Sequence, residues 1–597
     1  MTKPKTTKIK KQPSKKAKTQ SSLPMKGRDI LVKSLENEGC TVLFGYPGGA
    51  SMEIHQALTC TKKIRMVLPR HEQGGSFAAC GYARVTGKPG VCLATSGPGA
   101  TNLITGIIDA KMDSIPMVAI TGQVPAPVIG SDAFQETDIV GATYPLVKHS
   151  YLIQDIKEIP QVVHEAFKIA ISGRPGPVLI DIPKNIQQQE AIPNFSVKFD
   201  LVSYKPNLEP SEIQVKKAAH AIMEAKRPLI YAGGGIVAAE ASAELRKLVK
   251  TTGIPITNTV MGLGSYPMND PLSLHMLGMH GAVYANIAIN HADLVIALGV
   301  RFDDRVTGKL SEFCKNAKFI HVDIDASEIN KNITVDIPIQ GDLKKTLKSL
   351  NNLVKPKKDI GPWLKDVKGW KKEFPLHYEE HKQDISPQHV ICETQRLAEK
   401  DAIVSVGVGQ HQMWVAQFWR FEEPRRWLSS SGLGAMGFGL PAAMGAQVAA
   451  PKKQVINFEG DGSFLMNIQE LQTLKIENIP VKNVVLNNAH LGMVAQWEDR
   501  FYKSLRGHTF IGDANFAEIA HAFGIKSACI TKPEELVPAL KKMLKHNGPY
   551  VLDVKYPYDD QSRGHVMPMI PGGHTYLDTL LDEKHSLREY WQKKGIL

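Results

Sequence analysis

Two strand ends late in the chain carry groups suited to gripping a cation and a phosphate. The apolar run QVINF leads into Glu459-Gly460-Asp461-Gly462-Ser463, and 26 residues after Asp461 the run VKNVVL ends in Asn487-Asn488. If these strands lie side by side, Asp461 and Asn488 meet as hard oxygen ligands. That suits Mg2+, which completes an octahedral shell with phosphate oxygens and water. Gly460 and Gly462 allow a tight turn, and Ser463 opens a helix whose free N–H groups attract phosphate. Phe464, Ile468, Leu471 and Leu474 share one face of that expected helix. A strand-to-helix turn capped by Asp461 or Ser463, with the asparagines as turn formers, would use the same residues. GDGS followed at this distance by a strand-terminal NN is the more specific pattern.

A further carboxylate, Glu72 in RHEQGG, follows the strand MVLP and precedes the small-residue stretch GSFAACGYAR. It reads either as a proton-transfer group or as a helix-start residue. Nearly every unusual loop of the chain sits at the carboxyl end of an expected strand: YPGGA, RHEQGG, SGPGATN, GQV, GVGQH, GDGS and NNAH. Parallel sheets bind ligands at that end.

The elements that position these loops alternate, strand then helix, in three blocks, which implies an α/β fold of three doubly wound parallel sheets. Residues 25–205 hold TVLFG, MVLP, VCLAT, MVAITGQ and PVLIDIP, with helical stretches between them. A polar, Pro-containing linker, SYKPNLEPSE, leads to 210–355, with PLIYA, LVIALG and FIHVDID. A lysine-rich, Trp-containing linker is expected at 356–385, followed by 386–565 with AIVSV, QVINF, VKNVVL and YVLDVKYP. Residues 1–24 read as a disordered tail and 566–597 as a tail with helical character at its end.

At 597 residues the chain is too long for one core. The net charge of +13 is concentrated: residues 2–20 hold eight lysines and no acid, so about +5 remains on the rest. A solvated tail, a targeting peptide or a nucleic-acid arm would each explain that segment, and the remaining charge gives no reason to expect nucleic acid as partner. Seven scattered cysteines without a CxxC spacing argue against disulfides or structural zinc. No apolar run is long enough for a membrane span.

From about residue 26 to 573 the chain resembles the large catalytic subunits of the acetohydroxyacid (acetolactate) synthase family of thiamine diphosphate enzymes. FGYPGGASMEIHQAL, LPRHEQGG, ATSGPGATNL, DAFQETDIV, SGRPGPVLIDIPK, LHMLGMHG, GVRFDDRVTGKL, VGVGQHQMW, GLGAMGFGLPAA, EGDGSF and NNAHLGMVAQWEDRFY carry the resemblance. It implies a pyrimidine-binding first domain, a flavin-binding middle domain and a diphosphate-binding third domain. The implied reaction decarboxylates pyruvate and joins the two-carbon unit to pyruvate or 2-oxobutanoate, the first common step of valine, leucine and isoleucine synthesis. A related enzyme, such as a pyruvate oxidase or a 2-oxo acid decarboxylase, is the alternative.

The family's site residues carry over as follows. Glu72 bonds the aminopyrimidine and activates the cofactor. Gly49 offers a backbone N–H near the thiazolium, Gln135 lies on the substrate channel and Lys184 holds a catalytic position. Arg305 recognises the acceptor carboxylate, unless it pairs with Asp303 or Asp304 at the surface. Trp497 favours the larger acceptor, unless it is a core tryptophan. Val408, Gly409, Gln410 and His411 of GVGQH, with Gly434 and Met436, hold the thiamine cofactor. Gly460, Asp461, Gly462, Ser463, Asn488, His490, Leu491, Gly492 and Met493 complete its site. Asp461, Asn488 and His490 (through its carbonyl) bind the metal.

FAD, structural and non-redox, is expected on Arg174, Gly235, Thr259 and Met261. Leu277, Gly278, Met279 and His280 of LGMH belong to the same site, as do Gly299, Arg301, Asp303 and Arg305. Asp323 would meet the adenosine, and Ile324, Gly341 and Asp342 belong to the same expected site. The resemblance also implies a homodimer or homotetramer with the active site at a subunit interface, and a possible separate regulatory small subunit. Bacterial cytoplasm is the expected compartment, with plastid stroma as the alternative. Ala126 and Pro127 stand where many relatives are basic, Cys80 replaces a usual glutamate, and Ala489 replaces a larger amide.

Overall fold

The computed structural model describes residues 23–199, 201, 203–378 and 383–558. Most of the expected lysine-rich tail at 1–24, and all of the expected tail at 566–597, lie outside them. Three parallel sheets of six strands organise the chain. In the first, the spatial order is Arg65–Val67, Val42–Gly45, Gly90–Ala94, Met117–Gln123, Pro177–Pro183, His149–Leu152. In the third it is Trp427–Leu428, Ile403–Val406, Val455–Gly460, Lys482–Asn487, Tyr550–Lys555, Lys526–Ile530. These two sheets share one topology. The middle sheet differs: Ser273–Met276, Ile256–Asn258, Pro228–Ala232, Leu294–Leu298, Lys318–Asp323, Ile337–Gln340. That is the strand order of dinucleotide-binding folds.

Fully buried apolar runs such as Leu294–Leu298 and Pro228–Ala232 explain the parallel pairing, since both faces are covered by helices. One apolar core is continuous between the first and third units. It is built where the Glu72–Thr86 helix crosses the Gly439–Ala449 helix. Small residues permit the close approach: a Cβ at Gly81 would lie 2.1 Å from the Ala442 carbonyl oxygen, and one at Gly445 would lie 1.9 Å from that of Ala78. Cys80 of the same helix is fully buried, its thiol 3.7 Å from the Gly106 carbonyl.

Two expectations change. Residues 356–385, read as a linker, contain the helix Gly361–Glu373, whose Trp363 and Val367 pack into the middle core. Lys365, Lys368 and Lys372 are exposed, whereas Lys371 donates to the Ser273 carbonyl at 2.9 Å and lies over the Tyr284 ring. The single helix expected after Asp461 is two, Asp461–Met466 and Glu470–Ile476. Asn467 breaks it by turning its side-chain amide to the Gly437 carbonyl at 2.8 Å. No helix among the described residues is long and apolar enough to cross a membrane.

Candidate functional site

Strands Val455–Gly460 and Lys482–Asn487 are neighbours, Gly460 opposite Leu486, so the loops GDGS and NNAH leave the sheet side by side. Asp461 is buried at the start of its helix. Its Oδ2 accepts the Asn488 amide at 3.0 Å and its Oδ1 the Gly462 amide at 2.7 Å. The Asn488 Oδ1 accepts the His490 amide at 3.1 Å, and its Nδ2 lies 3.3 Å from the Tyr556 hydroxyl. Ala489 between them has φ of 60°, a left-handed conformation that asparagine tolerates better than alanine.

Burial pushes the Asp461 carboxyl up to about 6, against the pull of the surrounding amide donors. A buried carboxylate beside the Asn488 amide oxygen and the His490 carbonyl is an all-oxygen set that fits a hard dication, which would favour the charged form. Beneath it, burial pushes His411 down to about 3, leaving a neutral imidazole, and Glu459 up to about 7. Ser463 Oγ accepts the Gly437 amide at 2.9 Å and ties the Gly434–Gly437 loop to the Asp461–Met466 helix.

These groups enclose a cleft lined by Val408, Gly409, Gln410, His411, Met436, Gly460, Asp461, Gly462 and Ser463 on one side. Asn488, His490, Leu491, Gly492 and Met493 line the other, with Leu486, Val494 and Tyr556. Of the residues expected at this end, Gly434 alone lies elsewhere, on the wall of a second pocket.

That second pocket has a volume of about 820 Å³, in the size range of cofactor sites. It opens at the switch point of the middle sheet, between Pro228–Ala232 and Leu294–Leu298. Gly235 and Gly299 meet there, and a Cβ on either would lie within 2.7 Å of the other's Cα. Thr259, Met261, Leu277, Met279, His280, Arg301, Asp303, Arg305, Asp323, Ile324 and Asp342 also line it. Gly278 and Gly341 do not: the first packs under the Arg305 carbonyl and the second against Pro210. Burial pushes Asp323 up to about 6. Arg174 enters from the first unit, 2.6 Å from Glu328 and 3.2 Å from Asp325, and its Nε donates to Ser114 at 2.9 Å.

Arg305 lines the pocket, yet its side chain is 60% exposed and its Nε lies 3.6 Å from Asp304. The surface pairing and the pocket position coexist. Trp497 is half-buried and lines the pocket rather than the core. Val408 and Met493 line both cavities, which are therefore neighbours.

Sequence reasoning missed the wall formed by Met112–Pro116 and Ser430–Gly432. Asp113 holds these together, accepting the Gly432 amide at 2.7 Å, the Ser431 amide at 3.0 Å and Arg84 at 2.8 Å. Arg84 also reaches Asp109 at 3.1 Å. No local pattern marks this cluster, because its members come from three separate segments.

The remaining expected residues gather at the carboxyl ends of the first sheet. Glu72 is half-buried, its Oε2 accepting the Asn102 side-chain amide at 3.0 Å. Gly49 is exposed beyond the adjacent strand. Gln135 has φ of 62° and packs its backbone on Gly97. Lys184 opens the helix Lys184–Gln188, next to Asn185, whose Oδ1 accepts the Ala126 amide at 2.8 Å. None of these lines the diphosphate cleft, whose described walls come wholly from residues 408–556.

Three family models match the chain: the thiamine pyrophosphate enzyme N-terminal TPP-binding domain over residues 25–142, the central domain over 215–350 and the C-terminal TPP-binding domain over 407–554. Among curated proteins, the chain is 54% identical to acetolactate synthase 3, chloroplastic, of Brassica napus over 94% of its length and 87% of the relative's. It is 53% identical to acetolactate synthase, chloroplastic, of Arabidopsis thaliana, over 94% and 85%. The same identity holds for acetolactate synthase 1, chloroplastic, of Zea mays, over 94% and 89%.

Proposed function

The chain belongs to the acetolactate synthase family of thiamine pyrophosphate enzymes, and from that premise we propose that it decarboxylates pyruvate and adds the two-carbon unit to a second 2-oxo acid. Pyruvate as acceptor gives 2-acetolactate, and 2-oxobutanoate gives 2-aceto-2-hydroxybutanoate. Thiamine diphosphate, when bound, supplies the carbon nucleophile. The observation that carries the reading is the buried Asp461–Asn488 pair in a cleft that shares Val408 and Met493 with a neighbouring dinucleotide-sized pocket.

Asp461, Asn488 and the His490 carbonyl would hold Mg2+ against the diphosphate. FAD would occupy the larger pocket as a structural group, since condensing two 2-oxo acids moves no net electrons. Glu72 would hold a proton at the aminopyrimidine, Asn102 keeping its carboxylate turned inward. Gly49, Gln135 and Lys184 would line the substrate approach, and Arg305 would receive the acceptor carboxylate through its forked donors.

A homodimer or larger homo-oligomer follows from the same reading. Tyr46, Met52 and Phe134 beside the Glu72 face, and Leu465, Met466 and Val494 beside the cleft, are apolar yet exposed, Phe134 by 89%. Such residues mark a surface awaiting a partner, here a second copy. A separate regulatory subunit is part of the proposal. The chloroplastic relatives support plastid stroma rather than bacterial cytoplasm as the compartment.

The test is incubation with pyruvate and 2-oxobutanoate, omitting thiamine diphosphate, Mg2+ and FAD in turn. Both acetohydroxy acids should form only when all three are present. Acetate or acetaldehyde as the main product would overturn the reading in favour of an oxidase or decarboxylase. Glu72→Gln should lower turnover by about 10²–10⁴-fold while the cofactor still binds, measured by initial rates alongside cofactor titration.

A further inference from the structure

Glu470 is fully buried, lines neither cavity and touches the segment that presents Glu72. It opens the Glu470–Ile476 helix of the third unit, a few residues beyond Asp461. Its Oε1 accepts the amides of Arg70 at 2.9 Å and His71 at 3.1 Å, the two residues before Glu72. The Thr473 hydroxyl lies 2.8 Å from its Oε2 and 3.3 Å from the Leu68 carbonyl. Both amides precede the Glu72–Thr86 helix, so no helical acceptor serves them. The side chain reaches them because position 74 is glycine: a Cβ there would lie 2.5 Å from Oε1.

We propose that Glu470 is a positioning residue for Glu72. It fixes the backbone from which the activating carboxylate projects, so the third unit of a chain sets the geometry of the group its own first unit presents. This rests on the role of Glu72 proposed above. Displacing such a group by about 1 Å costs on the order of 10²-fold in rate. A buried carboxylate accepting two amides is among the stiffer ways to prevent that displacement, because leaving either amide unpaired is costly.

The two amides need only one acceptor oxygen, which glutamine keeps and alanine removes. Glu470→Ala in the holoenzyme should therefore slow hydrogen–deuterium exchange at the cofactor C2 position, and kcat with it, by roughly 10–100-fold. The KM for pyruvate should move by no more than about twofold, since uniform binding is untouched. In the cofactor-free chain, amides 68–75 should exchange faster by mass spectrometry. Glu470→Gln should recover most of both rates. Gly74→Ala, which displaces the carboxylate without deleting it, should resemble Glu470→Ala and decides the matter if that variant does not fold. Glu72→Gln is the control. If its C2 exchange stays at the wild-type rate, the reading of Glu72 fails. If Glu72→Gln is inert but Glu470→Ala and Gly74→Ala exchange like wild type, the positioning role fails alone. A Glu470→Gln variant as slow as the alanine one would also overturn it.

Discussion

Trp497 and Met493 stand one helical turn apart on the Gly492–Phe501 helix; both line the larger pocket, and Met493 also lines the cleft at Asp461. That spacing places the indole on the face that the acceptor's side chain would meet. An indole packed beside one extra methylene discriminates modestly, by about tenfold or somewhat more. Trp497→Leu should therefore lower the preference for 2-oxobutanoate over pyruvate by about tenfold, read from the two products in a competition assay; an unchanged ratio would sink this role. Residues of this kind were legible because they sit in recognisable motifs, here AQWEDR. Glu470 and Asp113 were not. Each acts on backbone amides hundreds of residues away, and a buried acid at a helix end carries no local sign of the amides it will meet.

At the scale of elements, the Glu72–Thr86 and Gly439–Ala449 helices do most to relate the two thiamine-binding units within a chain. His71 caps the first helix by accepting the Gln73 amide at 3.1 Å, and Gly87 ends it with φ of 71°. Arg84 fixes its far end to Asp109 and Asp113, and lies over the Phe438 ring, 5.1 Å from its centroid. Gly81→Ala would drive a methyl into the Ala442 carbonyl, so the helices must separate. Overpacking of this kind costs about 1–3 kcal/mol, and the thermal midpoint should fall; an unchanged midpoint would mean the crossing is soft. The small-residue run GSFAACGYAR was legible as a helix, but its partner was not, since close packing depends on glycine at both crossing points. Strands such as His149–Leu152, Ile256–Asn258 and Trp427–Leu428 are too short to show a period. The apolar spacing of Phe464, Ile468, Leu471 and Leu474 hid a break made by one asparagine side chain.

The whole molecule repeats one sheet topology in its first and third units around a middle unit of another order, and each switch point carries a chemical loop. YPGG and SGPG flank that of the first sheet, GVGQH and GDGS that of the third. Glu72 stands with the first pair and Asp461 with the second, and among the described residues none of the first unit lines the cleft at Asp461. If one copy's first unit completes the cleft of another, two inactive variants should rescue each other. Glu72→Gln and Asp461→Ala chains, each inactive alone, would form a mixed dimer with one doubly damaged site and one intact site. Random association makes half the dimers mixed, so activity should return to about a quarter of wild type. Sites contained within single chains would give no recovery at any mixing ratio. Co-expression from two tagged genes, with purification through both tags, isolates the mixed species and should raise the value to about half.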